Sequence, residues 1–321
     1  MRARVAFVFA VALTALAANS SSQADEWPNR PLRAIIPLSA GSAADVVPRI
    51  VFEQLSAQLG QPIVVENKPG ASGSIAARFV ASADPDGYTL LAHSSAHVIS
   101  PSTVANLSYD PIKDFAAVAP LGNLPLVLVI APSQGIKTVQ ELVALGKTRP
   151  ISFGSIGSGS PIHLAMERFR LSAGFQEQAI PFKGAPEALL EVMTGRVDVY
   201  YSPVTAALPF IRDGKLVALA VSSPTRSPTL PDVPTTLESG YPNSDYRFWI
   251  GVFAPVKTPG DIVSKINSEI QKAVQTPGVA EKLAKLGVQP MSMSTEQFDK
   301  FVKDELKINA ELAKAAGLFP Q

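Results

Sequence analysis

The stretch ISFGSIGSGSPIHLAMERF, residues 151–169, joins a strand, a loop and a helix in one short segment. A β-like run, Ile151 to Phe153, opens into a loop of Gly, Ser and one Ile. Helical sequence follows, with Ser160 as the expected N-cap and Pro161 at the first helical position. The serines around this turn allow three chemistries: the nucleophile of a hydrolase, a phosphate loop, or a site that holds an anion.

The spacing of these residues does not match three known motifs. A nucleophile elbow needs Gly-x-Ser-x-Gly, and neither Ser155 nor Ser158 has that context. A phosphate loop needs Lys after its last glycine, where Ser160 stands, and a dinucleotide fingerprint needs a third glycine in place of Ile162. A Ser–His–Asp triad is not excluded, because its members can be distant in sequence. A secreted serine hydrolase using Ser155 or Ser158 therefore stays open as an alternative.

The same strand–loop–helix unit recurs along the chain, which predicts an α/β fold with mainly parallel sheets flanked by helices. In such sheets, ligands bind beyond the carboxyl ends of the strands. The loops expected there are rich in hydroxyls and small residues, and they cover residues 39–45, 69–74, 93–97, 154–161 and 201–205.

These loops offer hydroxyls, accessible backbone N–H groups and several helix N-termini. A helix start carries unpaired N–H donors and about half a positive charge. Several such loops that converge can hold a carboxylate without Arg or Lys. The alternative for any one loop is a simple helix cap, but the set as a whole favours a shared anion site. From this pattern alone we include Ser94, Ser95, Tyr201 and Ser202 as candidate ligand contacts.

The order of the elements predicts one domain interrupted by another. Residues 222–245 are rich in Pro, Ser and Thr, and a buried-strand run and two helices follow them. We expect a first lobe of residues 25–124 plus 250–321 and a second lobe of residues 125–249. Two chain crossings, near residues 124 and 249, would form a hinge with a ligand cleft between the lobes.

The N-terminus has the features of a secretory signal peptide. Arg2 and Arg4 precede an apolar run from Val5 to Ala18, and the small-x-small pattern predicts cleavage near Ala24. We therefore assign residues 1–24 to the signal peptide. The apolar run is shorter than the roughly 20 residues that a membrane anchor needs. We expect the mature protein to be soluble, with no direct membrane insertion.

Composition excludes several function classes. The 28 Lys and Arg residues nearly balance the 27 Asp and Glu residues, so no basic surface for nucleic acid is expected. There are no cysteines, and the three histidines lack metal-ligand spacing, so we expect neither a metal site nor disulfides. No motif for a cofactor is present, and we expect none.

Several longer motifs resemble a known family. The segments PLSAGSAADVVPR, GQPIVVENKPGASGSIAA, DPDGYTLL, RSPTLPDVPTTLESGY and FWIGVFAP occur in this order. Together they resemble the extracytoplasmic solute receptors of tripartite tricarboxylate transporters, the Bug or TctC-like family, from about Trp27 to the C-terminus. The resemblance implies a two-lobe, periplasmic-binding-protein-like fold that closes on a small organic acid. It also implies a periplasmic monomer that is not an enzyme and that delivers its ligand to membrane permease subunits.

The resemblance also implies ligand-binding residues on both lobes. The first-lobe residues are Ser39, Ala40, Gly41, Ser42 and Asp45. The second-lobe residues are Ser155, Ser158, Gly159, Ser160, His163, Lys183 and Gly184. Asp45 stands three residues after Ser42, so a capping-box role is an equal expectation for it.

Three positions depart from the family pattern. Ser42 replaces the second glycine of the first loop, Phe182 replaces a tyrosine, and Ser202 stands where many members have an acidic residue. These changes bear on which acid is bound: a di- or tricarboxylate, an acidic amino acid or an aromatic acid. A receptor that docks onto a sensor protein instead of a permease is a further alternative.

Overall fold

The computed structural model describes residues 27–70 and 73–320, so the expected signal peptide lies outside the described residues. The strands, in chain order, are β1 (Leu32–Ile36), β2 (Ile63–Asn67), β3 (Thr89–Ser94), β4 (Phe115–Asn123), β5 (Leu126–Ile130), β6 (Ile151–Ser155), β7 (Glu177–Pro181), β8 (Tyr200–Pro203), β9 (Val217–Val221) and β10 (Trp249–Pro255). The helices are α1 (Ala43–Leu59), α2 (Ser74–Ala81), α3 (Ala96–Thr103), α4 (Val139–Gly146), α5 (Pro161–Ala173), α6 (Ala185–Met193), α7 (Val204–Arg212), α8 (Gly260–Gln275), α9 (Pro277–Lys285) and α10 (Thr295–Ala315).

The strands form two groups that correspond to two lobes. The first is a five-stranded sheet in the order β2-β1-β3-β10-β4. The second contains the antiparallel set β8-β5-β9 and the parallel pair β6-β7. A parallel bridge between Phe153 and Val199 joins β6 to the residue before β8. The α/β prediction is confirmed, and the second group has the order β7-β6-β8-β5-β9.

The sheets are mixed, because one strand of each runs antiparallel to its neighbours. In the first sheet β10 is antiparallel to β3 and β4, and in the second β5 is antiparallel to β8 and β9. Each of these two strands is the first one after the chain passes from one lobe to the other. Such a strand starts at the edge of the sheet where the parallel strands end, so it runs in the opposite direction to them. The direction of β5 and β10 therefore follows from the crossings.

Alternate faces of the first sheet bury different helices. Leu32 and Ile36 of β1 belong to the same apolar cluster as Val51 of α1. Ile35, on the opposite face, packs in a second cluster that contains Phe298 of α10. Period-two alternation on a strand places successive side chains on opposite faces. The sheet is consequently covered on both sides, and its carboxyl edge is left for the loops.

The C-terminal region contains three helices where the sequence predicts two. Pro277 begins α9 immediately after α8 ends at Gln275. Thr276 between them has extended backbone angles, and Pro277 is well suited to the first turn of a new helix, so two helices form in succession. No helix in the described ranges is long and apolar enough to cross a membrane.

Candidate functional site

The carboxylate of Asp45 fixes the loop after β1 through hydrogen bonds. This buried side chain accepts hydrogen bonds from Gly41 N (2.8 Å), Arg49 Nε (2.9 Å) and Asn67 Nδ2 (2.8 Å). Asn67 also donates to the carbonyl of Leu38 at 2.8 Å. Asp45 and Asn67 together fix the backbone between residues 38 and 41, where Gly41 adopts φ +81°.

The capping-box role expected of Asp45 is wrong. Ser42 is the N-cap residue of α1 but its side chain makes no capping hydrogen bond, and Asp45 binds the N–H of Gly41 instead. The carboxylate turns away from the Ser42 N–H because Asn67 and Arg49 offer stronger, partly charge-assisted bonds on the β2 side. Burial alone would raise the pKa of Asp45, but the bonds from Asn67, Gly41 and Arg49 outweigh it and lower the pKa. Asp45 is thus an ionised residue that holds the loop after β1 in its conformation.

Four buried polar atoms at the carboxyl end of the first sheet have no hydrogen-bond partner in the described structure. They are Ser42 Oγ before α1, Ser74 Oγ at the start of α2, His93 Nε2 near the end of β3 and Ser95 Oγ before α3. A Cβ added to Gly73 would lie 2.7 Å from His93 Nε2 and 3.2 Å from Pro37, so the loops after β1 and β2 meet at this histidine. Buried polar groups normally find partners, so these atoms mark a place suited to a polar ligand.

The remaining first-lobe candidates lie on the same edge. Ser39, Ala40 and Gly41 are exposed. Ser94 ends β3 and is buried, with its N–H donating to His93 Nδ1 at 2.8 Å. Ser95 is fully buried before α3, and its N–H donates to the carbonyl of Trp249 at 2.9 Å. Ser95 is therefore tied to the strand at the second crossing.

The loop after β6 folds around a buried serine and histidine. Ser155 Oγ lies 2.8 Å from His163 Nδ1 and accepts a hydrogen bond from Gly157 N at 3.1 Å. Ser160 caps α5 as expected: its Oγ accepts from His163 N at 3.2 Å and donates to Gly157 O at 2.7 Å. Burial lowers the pKa of His163, so the imidazole is neutral near pH 7. Ser155, Ser160 and His163 thus come together, while Ser158 and Gly159 are half-buried on the loop.

The other second-lobe candidates are less clearly part of this group. Lys183 is exposed, and its N–H donates to Glu187 Oε2 at 3.1 Å; Gly184 is the N-cap of α6. Tyr201 is fully buried and packs edge-on against Phe169, 6.4 Å between ring centroids. Ser202 is fully buried, and its hydroxyl donates to the carbonyl of Pro203 at 3.0 Å. The ring of Tyr201 is therefore packed within the lobe, while its hydroxyl is buried without a hydrogen-bond partner among the described residues.

The two lobes meet at Gly159. A Cβ added to this glycine would lie 2.8 Å from Oγ1 of Thr103, at the end of α3 in the first lobe. Thr103 Oγ1 donates to the carbonyl of Ile99 at 3.3 Å, which fixes its position. The loop after β6 is therefore placed directly against the first lobe.

Sequence reasoning missed four residues that shape this edge. Asn67, Ser74 and Thr103 were not among the candidates, and neither was His93. Ser74 and His93 lie within loops that the pattern had singled out, so the loop composition could have suggested them. In the described part of the chain, no group of three or more His, Cys, Asp or Glu residues could hold a metal ion.

Comparison with known proteins identifies the family. A family model described as the tripartite tricarboxylate transporter family receptor matches residues 47–318. The chain belongs to this receptor family. Among its relatives, protein BugT of Bordetella pertussis is 35% identical over 298 residues, which cover 92% of this chain and 91% of BugT. The family prediction made from the motifs is therefore confirmed.

Two similar solved structures carry dicarboxylates. R. palustris Rpa4515 with adipate has a TM-score of 0.84 at 30% identity, covering 92% of this chain and 100% of that chain. MatC from Rhodopseudomonas palustris with bound malate has a TM-score of 0.78 at 30% identity, covering 89% and 99%. The two-lobe receptor fold is thus shared over nearly the full length of both relatives.

Proposed function

We propose that this chain is a periplasmic receptor that captures a small organic acid, with dicarboxylates as the first class to test. The observation that carries the proposal is the set of unpartnered buried atoms on Ser42, Ser74 and His93 at the carboxyl edge of the first sheet. The capped loop of Ser155 and Ser160 belongs to the second lobe, and its Gly159 lies against Thr103 of the first lobe. Hydroxyl and N–H donors on both sides suit a carboxylate. The adipate and malate held by related receptors support this class.

The remaining parts of the proposal follow from family membership and the signal-peptide pattern. The receptor would act as a monomer in the periplasm and deliver its acid to membrane permease subunits. Its lobes would comprise residues 25–124 plus 250–321 and residues 125–249. The ligand contacts we propose are Ser39 to Ser42 and the loop of residues 155–160, with Asp45 and His163 acting behind them.

Thermal unfolding with a panel of acids tests this function. Copurified ligand is first removed by partial unfolding and dialysis, and the panel contains di- and tricarboxylates, acidic amino acids and aromatic acids. An acid at a hundred times its Kd should stabilise the protein by about 2.7 kcal/mol. If no acid raises the melting temperature of a verified ligand-free sample, the proposed function is wrong.

One observation favours a hydrolase as the second candidate: Ser155 Oγ lies 2.8 Å from His163 Nδ1. The same hydroxyl accepts the N–H of Gly157, which is then not free to stabilise an oxyanion on a substrate. Labelling with a fluorophosphonate probe separates the candidates. Labelling that disappears in Ser155→Ala would support the hydrolase, whereas a receptor leaves the serine unlabelled.

A further inference from the structure

The two chain crossings are hydrogen-bonded to each other, which fixes where the lobes can turn. Leu124 N donates to the carbonyl of Phe248 at 2.6 Å, directly after the paired strands β4 and β10. Immediately beyond, the carbonyl of Pro125 accepts from Val204 N at 3.1 Å and so belongs to the second lobe. The first crossing therefore turns between residues 124 and 125.

The second crossing turns over residues 247 and 248. Tyr246 is fixed to the second lobe at both backbone groups: its N–H donates to Ser222 O at 2.7 Å, and its carbonyl accepts from Ser222 Oγ at 3.0 Å. Trp249, three residues later, is fixed to the first lobe, where its indole N–H donates to Glu305 Oε2 at 3.2 Å. The two turning points together form the pivot between the lobes.

The side chain of Tyr246 extends across this pivot to the first lobe. Its hydroxyl donates to Oδ1 of Asn309, on α10, at 3.0 Å. Both residues are buried, and Asn309 is only 1% exposed. Asn309 Nδ2 donates to the carbonyl of Glu305 in its own helix at 2.8 Å, so the amide presents its oxygen to the tyrosine. A buried hydrogen bond thus joins the two lobes beside the pivot.

Packing beside this bond is incomplete. A cavity of about 190 Å³ adjoins it and is lined by residues of both lobes: Arg168 of α5, Asp245, Tyr246 and Arg247 of the crossing, and Glu305, Ile308 and Asn309 of α10. Because the two lobes face each other across open space here, packing alone does not fix their separation at this point. The hydrogen bond consequently has a larger part in fixing it than it would have in a close-packed interface.

This bond and the contact between Gly159 and Thr103 join the same parts of the two lobes. Gly159 lies just before α5, and two side chains of α5 donate hydrogen bonds to the carbonyls of residues 242 and 243, which lead to Tyr246. In the first lobe, α3 ends at Thr103 and packs against α10. A rotation that parts Gly159 from Thr103 therefore also draws Tyr246 away from Asn309. Lengthening the bond by about 1 Å is enough to break it.

We propose that the Tyr246–Asn309 hydrogen bond forms when the lobes close and holds them in the arrangement that binds the acid. These two residues are then positioning residues that strengthen binding without touching the ligand. The inference rests on the proposed function, because it assumes that an acid binds between the lobes. A ligand that binds only the closed form has its apparent affinity reduced by the fraction of molecules that are closed. Loss of one buried neutral hydrogen bond should lower that fraction by up to about fivefold.

A disulfide between the lobes measures closure without any ligand, since the natural chain contains no cysteine. A Cβ added to Gly159 would lie 3.6 Å from Thr103 Cβ, within the range of about 3.5–4.5 Å that a disulfide requires. In the variant Gly159→Cys/Thr103→Cys, the rate of disulfide formation in a fixed redox buffer reports how often the lobes close. Adding Tyr246→Phe should slow this rate by up to about fivefold. An unchanged rate would overturn the inference, and so would failure of the bond to form with Tyr246 present.

Tyr88→Phe is the matched control, because its hydroxyl also donates to an asparagine, Asn29 Oδ1 at 2.8 Å, but within the first lobe. Its closure rate and affinity should equal those of the chain with Tyr88. Asn309→Leu removes the acceptor of the interlobe bond. Combined with Tyr246→Phe, it should slow closure no further than either change alone, because both remove the same bond. Losses that add together would contradict the inference.

Titration with adipate and malate tests the effect on binding. In the chain without added cysteines, Tyr246→Phe should raise Kd by the same factor by which it slows disulfide formation. X-ray scattering with saturating acid should give the radius of gyration of the natural chain. Slower closure with an unchanged Kd would overturn the positioning role. If closure is slowed as expected but neither acid binds the natural chain, the dicarboxylate proposal is wrong and the effect of the bond on closure is confirmed.

Discussion

At the scale of single residues, Asp45 acts on the site by supporting its backbone. A carboxylate that touched the bound acid would repel it, whereas this one faces Gly41, Arg49 and Asn67. Asp45 therefore takes up the N–H of Gly41, and its negative charge is shared with these three partners. The neighbouring Arg49 offsets that charge further, since it pairs with Asp45 at 2.9 Å.

Asp45→Asn should lower the free energy of unfolding at pH 7 by about 1–3 kcal/mol, because three hydrogen bonds to a buried charge are weakened. The folded-state pKa of Asp45 is lowered. Its contribution is therefore present above the unfolded pKa of about 3.9 and is lost as pH falls through the folded value. Urea unfolding at pH 7 and pH 3 should show the difference shrinking at the lower pH.

Asp304→Asn is the control for this experiment, because Asp304 is an exposed carboxylate of α10 that pairs with Lys300. It should leave the urea midpoint unchanged at pH 7. A destabilisation by Asp45→Asn that is equally large at pH 3 would contradict the electrostatic account.

The residues that sequence predicted best are those whose partners are local. Ser155, Ser160 and His163 lie within one loop and the first turn of α5, and their contacts follow from the strand–loop–helix pattern. The partner of Asp45 was missed because Asn67 reaches it only through the pairing of β1 with β2. The full burial of both Tyr201 and Ser202 could not be predicted, since period two does not say which face of β8 is covered.

At the scale of elements, the N-termini of α1 and α5 differ although both have serine as N-cap. Ser160 accepts the N–H of His163, whereas Ser42 makes no capping bond. Ser160→Ala should therefore lower the free energy of unfolding by about 1 kcal/mol. Ser42→Ala should leave it unchanged, because no bond is lost.

Ser42→Ala, which should not change stability, should nevertheless change ligand binding. If Ser42 Oγ donates to the acid, Ser42→Ala weakens binding by about 1 kcal/mol, or roughly fivefold. Chemical unfolding of the ligand-free proteins and titration with adipate measure the two effects. Equal stability losses in both variants would show that Ser42 has a capping role after all.

Capping signals were only partly readable from the sequence. Thr138 and Glu141, with capping-box spacing, form such a box at the start of α4. Thr258 and Asp261 have the same spacing but form none, because α8 has Pro259 as N-cap and no side-chain cap. A box formed by Ser294 and Gln297 before α10 was not predicted. Motif spacing records which bonds are available locally, but tertiary neighbours decide which of them form.

At the scale of the whole molecule, Gly159 limits how closely the lobes approach. Gly159→Ala places a methyl group against Thr103 Oγ1, and such overpacking costs about 1–3 kcal/mol. The cost falls on the closed arrangement and is relieved when the lobes separate. We therefore expect weaker binding and a larger radius of gyration with saturating adipate, measured by titration and X-ray scattering.

Thr103→Ala supplies the matched test of this contact. Combined with Gly159→Ala, it removes the atom that the new methyl would meet and should restore most of the affinity. Failure of the double variant to recover would mean that Gly159 acts through its backbone instead of through the space beside it.

The late position of β10 in the sequence has a consequence for how the chain is made. β3 and β4 are separated in the sheet by β10, which begins at Trp249, whereas β4 ends at Asn123. During synthesis the N-terminal lobe therefore has a gap in its sheet until most of the polypeptide has emerged. Such non-local pairing slows folding and leaves unpaired strand edges exposed. The sheet of the first lobe is consequently completed only when its last strand, β10, has been synthesised, whereas the strands of the second lobe follow one another along the chain.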